Sequence, residues 1–354
     1  LDEIKCRLIG SYANHVFRTI FSRAAVAGKT VLADGENSTI LKNIKILVSD
    51  IENLNSQLRD GRARGEVFAF ITQDIKEFFL KVPGPSAETF LENQINQFCI
   101  KYNVNFACYP KTNMNFQKFK LHRKRNRRFA KRNRYRKNEI KTVWFSKRKP
   151  SSRYHYLDLR SIPRILKHDR ELSYFKAAGN IWRWRDGYPI GSHLAELGAE
   201  SYATNFDKGY ENLRKLVYRK RYIDDILIIF SLSKCWEAAP FINENFYPGL
   251  TLETKIGCKV EYLGCNLEFL NGYFELSPII KDIKIVGQSY GAEPRSIIKG
   301  YIRRIIDCTV SSKKQQKVIQ LVGEAVDMLN ARGFKFDRAK KQADAVRVMR
   351  ELGH

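Results

Sequence analysis

The chain has 354 residues, with 63 Lys and Arg against 37 Asp and Glu, a formal net charge of +26. Its 44% hydrophobic share is that of a globular protein with a sizeable core, so the charge speaks to partners rather than fold, and polyanions come first. Seven scattered cysteines without a Cys-x-x-Cys pair suggest neither a disulfide framework nor a zinc site and fit a reducing compartment, and no apolar run approaches the roughly 20 residues of a membrane span. No signal peptide is visible, and a start at Leu1 rather than Met reads as a fragment.

Residues 5–11 read as a short strand carrying Arg7, followed by a helix over about 14–27. Gly28-Lys29-Thr30 is not a phosphate loop, because Arg23 stands where the motif needs its first glycine. Ile40, Ile44, Leu47, Ile51, Leu54 and Leu58 recur at helical spacing over 37–59. Residues 67–71 read as a buried strand with Asp74 near its end and Phe78-Phe79 beyond it. Read alone, such an Asp is a turn former or a helix cap.

An amphipathic helix is expected over 86–100, and residues 111–153 then become intensely basic. Arg123, Lys124, Arg125, Arg127, Arg128, Lys131, Arg132 and Arg134 are interleaved with Phe116, Phe119, Phe129 and Tyr135. Such a run reads as a solvated loop or localisation signal, or as a surface that holds phosphates and stacks bases; the interleaved aromatics favour nucleic-acid contact. Residues 187–192 form a Gly/Pro loop before a helix that Ser192 would cap and that runs to about 205.

Residues 218–230 hold two adjacent aspartates, Asp224 and Asp225, between apolar, β-branched runs. The pattern is a hairpin with the acids at its tip. On its own this is an acidic turn, but residues 226–230 read as a strand buried on both faces, and buried carboxylates call for a divalent cation. Residues 250–255 and 260–269 read as further strands, and residues 297–307 and 313–332 as two helices, the second with one apolar stripe.

Taken together, these motifs resemble those of reverse transcriptases in kind and order. Tyr222-Ile223-Asp224-Asp225 resembles the family's Tyr-x-Asp-Asp hairpin, and Asp74 with Phe79 five residues later resembles its first palm motif. Gly187 to Ser192 resembles the Gly-x-Pro-x-Gly-Ser loop, and Tyr262-Leu263-Gly264 the primer-grip turn. Ile190 stands where many members have Gln; an apolar residue there, and the partial match of residues 329–334 to a Leu-x-x-Arg-Gly turn, bring the chain nearest to Penelope-like elements.

The resemblance implies an α+β, right-hand polymerase. Residues 1–65 would be partial fingers and a connecting helix. Residues 66–275 would be a palm with an inserted basic fingers segment at about 86–160, and 276–354 a helical thumb. It implies an RNA-directed DNA polymerase of a retroelement, acting on an RNA template, a DNA primer and deoxynucleoside triphosphates, intracellular and nuclear, with no membrane contact. Asp74, Asp224 and Asp225, with the Ile75 carbonyl, would hold two Mg²⁺ or Mn²⁺ ions. Arg7 would hold the triphosphate, Phe79 would exclude a 2′-hydroxyl, and Gly191 and Lys255 would meet the nucleotide. An RNA-dependent RNA polymerase and a non-catalytic RNA-binding scaffold are the competing readings; the bulk of Phe79 stands against the first and the three aspartates against the second.

Overall fold

The computed structural model describes residues 17–34, 40–41, 43–59, 66–110, 143–152, 154–177, 179–183, 186–207, 218–237, 246–280, 294–311 and 313–352. The expectations for Arg7 and for the basic residues Arg123, Lys124, Arg125, Arg127, Arg128, Arg132 and Arg134 lie outside them. In chain order the elements are α1 (Arg18–Leu32), α2 (Ile44–Arg59), β1 (Phe68–Lys76), the single-turn α3 (Phe78–Lys81), α4 (Gly84–Tyr102), β2 (Phe106–Pro110), β3 (Trp144–Ser146), β4 (Tyr154–Asp158), α5 (Ile162–Glu171), β5 (Tyr174–Ala177), β6 (Asn180–Arg183) and α6 (Ala195–Asp207). Then follow β7 (Tyr218–Tyr222), β8 (Asp225–Ser231), β9 (Thr251–Gly257), β10 (Lys259–Tyr262), β11 (Cys265–Leu270), β12 (Tyr273–Pro278), α7 (Pro294–Cys308), α8 (Lys314–Ala331) and α9 (Arg338–Glu351). The chain divides into two compact units: Leu1–Ser38, Lys76–Asn212 and Phe246–Thr251 in the first, Thr39–Ile75, Leu213–Asn245 and Leu252–His354 in the second.

In the first unit α4 packs on α5 and α6, and α1 on all three. The interior is apolar: Ala24 and Ala27 from α1, Leu91 and Ile95 from α4, Leu166 from α5 and Leu197 from α6 are buried. Gly28 marks the close approach of α1, since a Cβ there would come within 2.6 Å of the Leu197 side chain. The Gly28-Lys29-Thr30 triplet is thus helix interior, where a small residue is required for packing. β2 lies between β3 and β4 in an antiparallel sheet, and Phe98 of α4 meets Phe145 of β3 edge-on with ring centroids 4.9 Å apart.

The second unit is built on a four-stranded sheet in the order β7-β8-β1-β9 and a three-stranded sheet, β10-β11-β12. Ile226, Leu227, Ile228 and Ile229 of β8 are all fully buried, which is what a continuously apolar run requires. Leu47 and Ile51 of α2, Phe68 and Phe70 of β1, Leu227 and Ile229 of β8, Leu267 of β11 and Phe274 and Leu276 of β12 share one core. Asn55 is a polar pin in that core: its amide donates to the Phe274 carbonyl at 2.9 Å, and its Oδ1 accepts from the Phe274 N–H at 2.7 Å. A second core joins α7, α8 and α9 through Ile305, Val322, Leu329 and Met349.

Several expectations shift in detail. The first helix runs on to Leu32, past the expected end near Ala27. β1 runs through Lys76, so Asp74 lies inside the strand and not after it. Residues 260–269 are two strands, because Leu263 (φ 50°) and Gly264 (φ 70°) turn the chain back on itself. The helix after the Gly/Pro loop starts at Ala195, three residues beyond Ser192. The strands β2 to β6 and the helices α5 and α9 were not expected at all; α9 has a legible start, with the Asp337 side chain accepting from the Lys340 N–H at 3.0 Å. No helix among the described residues is long and apolar enough to cross a membrane.

Phe274 carries much of the second unit's core, with its ring against those of Phe68, Phe70 and Phe269. Phe274→Ala is expected to cost about 3–5 kcal/mol in urea unfolding, whereas truncating the exposed Ile100 should cost under about 0.5 kcal/mol. Equal costs at the two positions would contradict this core.

Candidate active site

β7 and β8 form a two-residue hairpin closed by Tyr222 opposite Asp225, with Ile223 and Asp224 as its central residues. Ile223 has φ 56°. A β-branched side chain in that region is strained, by about 1–3 kcal/mol. A turn built for comfort would carry Gly or Asn there. Asp225 is therefore the first residue of β8 rather than a turn residue, and only Asp224 sits in the turn.

β1 runs antiparallel to β8 with Asp74 directly opposite Asp225. The Ile75 N–H donates to the Asp224 carbonyl at 3.0 Å, which carries the pairing to the tip of the hairpin. Three carboxylates separated by up to 151 positions in the sequence thereby come to one end of one sheet. Their mutual charge is felt: burial, then the negative charges of Asp224 and Asp74, push the Asp225 carboxyl up to about 6.

The donor set fits a hard divalent cation, since it is oxygen only and the charges of Asp224 and Asp74 bear on Asp225. Among the described residues no three His, Cys, Asp or Glu side chains, these aspartates included, stand grouped so that they could hold a metal ion by themselves. Magnesium sites take that open form when a few carboxylates are completed by water and substrate phosphates.

Tyr262 is buried at 3% exposure, and its hydroxyl donates to the Asp225 carbonyl at 3.2 Å. Its side chain thus supports the hairpin. The adjacent Leu263–Gly264 turn meets α7: Arg304 Nη2 donates to the Gly264 carbonyl at 3.3 Å, and a Cβ on Gly264 would lie 2.7 Å from that nitrogen. Lys255 is exposed on β9, with Glu253 at 3.8 Å. Arg221, directly before the hairpin motif, is fully buried and donates from Nη1 to the Ile223 carbonyl at 2.7 Å. Sequence reasoning assigned it no role. The available signal was its place in a strand that enters the core.

Phe79 and Gly191 belong to the first unit. Phe79 is half-buried beside the buried Phe78, with ring centroids 5.7 Å apart, and its carbonyl accepts from the Tyr188 N–H at 2.6 Å. Gly187 (φ 66°) must be glycine, because a Cβ would sit 2.4 Å from the Phe79 carbonyl oxygen. Gly191 has φ 106°. The next residue, Ser192, donates its hydroxyl to the buried Asp169 of α5 and accepts from the Leu194 N–H at 3.0 Å. Asp169 is a loop-holding residue that the sequence did not single out.

No protein-family model matches this sequence, and no curated protein matches it at a significant level. Solved structures do resemble it. Telomerase from Candida albicans, in complex with the TWJ fragment of telomeric RNA, superposes with a TM-score of 0.59 at 12% identity, covering 95% of this chain and 48% of that one. Telomerase from Candida tropicalis, in complex with the same kind of fragment, gives 0.51 at 11% identity, covering 96% and 50%. At such identities the likeness is one of fold: a mixed helix-and-sheet architecture with antiparallel sheets. The chain spans about half the length of these structures.

A carboxyl raised by burial and by its neighbours is a stability liability when ionised. Its contribution is least unfavourable below the usual Asp value and worsens as pH rises through about 6. With chelator present, Asp225→Asn should therefore raise the thermal midpoint at pH 7.5 and leave it unchanged at pH 4. After allowance for solvent screening of a half-exposed group, the gain is about 1 kcal/mol. A midpoint that falls at both pH values would contradict the crowding of carboxylates described above.

Proposed function

We propose that this chain is the catalytic portion of a template-directed nucleotidyl transferase, an RNA-directed DNA polymerase of retroelement type. The observation that carries the reading is the register that sets Asp74 opposite Asp225, beside Asp224, at the end of an antiparallel sheet. The fold-level likeness to telomerase, and the RNA in those telomerase structures, support it. So does the net charge of +26, which suits a polyanionic template and primer. The apolar Ile190 and the partial Leu-x-x-Arg-Gly match at 329–334, which resemble Penelope-like elements, are the reason for the retroelement assignment.

On this reading the second unit's four-stranded sheet is the floor of a palm. Asp74 and Asp224 would hold two Mg²⁺ ions, with Asp225 and the Ile75 carbonyl assisting. Bound there, the ions would lower the cost of deprotonating a primer 3′-hydroxyl and neutralise charge on the leaving pyrophosphate. The chain's own contribution is placement. Strand pairing fixes the backbone of Asp74 and Asp225, and the Ile75 N–H that of Asp224, so that the three acids lie at one end of the sheet where a dication would offset their charge. Arg7 and Lys255 are assigned to the triphosphate, Phe79 to sugar discrimination, and Gly191 to close backbone approach at the templating pair, all on the resemblance. The basic residues at 123–134 are assigned to nucleic-acid backbone contact on composition.

Primer extension tests the reading. The protein should extend a DNA primer on an RNA template with deoxynucleotides and Mg²⁺, and Asp224→Ala should reduce the rate at least about a thousandfold, a loss of about 4 kcal/mol of transition-state stabilisation. Extension with ribonucleotides alone would favour an RNA polymerase; tight RNA binding without extension by any nucleotide would favour a scaffold. Phe79→Ala should increase ribonucleotide incorporation about tenfold or more relative to deoxynucleotides, and an unchanged ratio would remove Phe79 from that role.

A further inference from the structure

The tip of the β7–β8 hairpin is held from behind in an unusual way. Three successive backbone carbonyls, those of Ile223, Asp224 and Asp225, each accept a hydrogen bond from a different group. Arg221 Nη1 reaches the first at 2.7 Å, the Ile75 N–H the second at 3.0 Å, and the Tyr262 hydroxyl the third at 3.2 Å. Two of the three donors are side chains, and both side chains are buried: Arg221 is 0% exposed and Tyr262 is 3% exposed. On its outer side, the Arg221 carbonyl accepts from the Leu41 N–H at 2.6 Å, which fixes the backbone of β7 where it enters the turn.

The arrangement needs a reason, because it is costly. An isoleucine at φ 56° is strained, and the Arg221 guanidinium is taken out of water to reach the carbonyl of that same residue. A hairpin whose only task was to reverse the chain would use Gly or Asn at the position of Ile223. What the strain provides is a fixed aim for the two residues next to Ile223. The backbone that carries Asp224 and Asp225 cannot tilt without breaking one of the three bonds.

We infer that Arg221 and Tyr262 are positioning residues that clamp the hairpin tip so that the Asp224 and Asp225 carboxylates are preorganised for a divalent cation. The inference rests on the metal-site reading of those aspartates. Arg221 acts through the Ile223 carbonyl and Tyr262 through the Asp225 carbonyl. Neither touches the reacting groups. Preorganisation of this kind matters because like-charged carboxylates left free would turn apart, and the cation would have to restore their alignment each time it bound.

Tyr262→Phe is the clean test, since it removes one hydroxyl and keeps the ring in the core; Arg221→Lys keeps the charge and loses the fork. Three readouts are compared with wild type in the full chain. Amide exchange of residues 223–226, without metal, should accelerate about three- to tenfold in Tyr262→Phe, the equivalent of one hydrogen bond, while the rest of β8 stays protected. Direct Mn²⁺ titration should show affinity reduced by a similar factor. In primer extension, kcat should fall and the Mg²⁺ concentration for half-maximal rate should rise, and Arg221→Lys should retain part of the activity.

Exchange and Mn²⁺ affinity equal to wild type in Tyr262→Phe would overturn the inference, whatever the activity. Wild-type protein that binds Mn²⁺ but extends no primer would overturn the polymerase reading alone, because the exchange and titration results still decide the clamp. Wild-type protein that does not bind Mn²⁺ would overturn both.

Discussion

The pairing of β1 with β8 is the constraint on which the second unit depends. It places Asp74 opposite Asp225 and continues through the Ile75 N–H to the Asp224 carbonyl. Side chains alternate along a strand, so a slip of one residue would turn Asp74 to the other face and carry Phe68 and Phe70 with it. The same register that buries those rings against Phe274 therefore assembles the carboxylates. Core and site are specified by one set of backbone hydrogen bonds, and neither can be altered without the other.

That coupling explains how the chain can carry a crowded acidic cluster. Three carboxylates drawn together repel one another, and Asp225, half-buried, is pushed far from its ordinary value. The cost is met by the apolar strand behind them, where Ile226 to Ile229 are fully buried, and by α2, whose Leu47 and Ile51 close the core. Hydrophobic burial of that extent is worth several kcal/mol and can hold an arrangement that electrostatics alone would disperse. The strained Ile223 turn draws on the same reserve.

The first unit shows a related economy in its Gly/Pro loop. Gly187 admits the loop to the Phe79 carbonyl, and the buried Asp169 holds Ser192 beyond it. Helix packing again sets the frame, since Gly198 of α6 leaves room for the Tyr188 ring at a distance no side chain could share. In both units, then, a short irregular segment with special backbone angles is fixed by buried groups on neighbouring regular elements. Irregular backbone placed on a rigid scaffold is where binding and catalytic groups tend to sit.

Much of this was legible in the residues alone. The apolar run after Asp225 required a strand buried on both faces, the helical spacing from Ile44 to Leu58 required a packing helix, although Ile40 lies before it in a bridge to Arg221, and the adjacent acids marked a hairpin tip, although only Asp224 sits in the turn. These are local signals, set by side-chain period and turn chemistry, and they survive without knowledge of partners. What only the tertiary structure decided was non-local: that Asp74 lies within β1 and faces Asp225, that Tyr262 is buried and supports the Asp225 backbone, and that Arg221 is a core residue rather than part of the basic surface. Nothing in a one-dimensional pattern distinguishes a solvated arginine from one whose charge is buried behind a turn, because the difference lies in which distant strands and helices close over it.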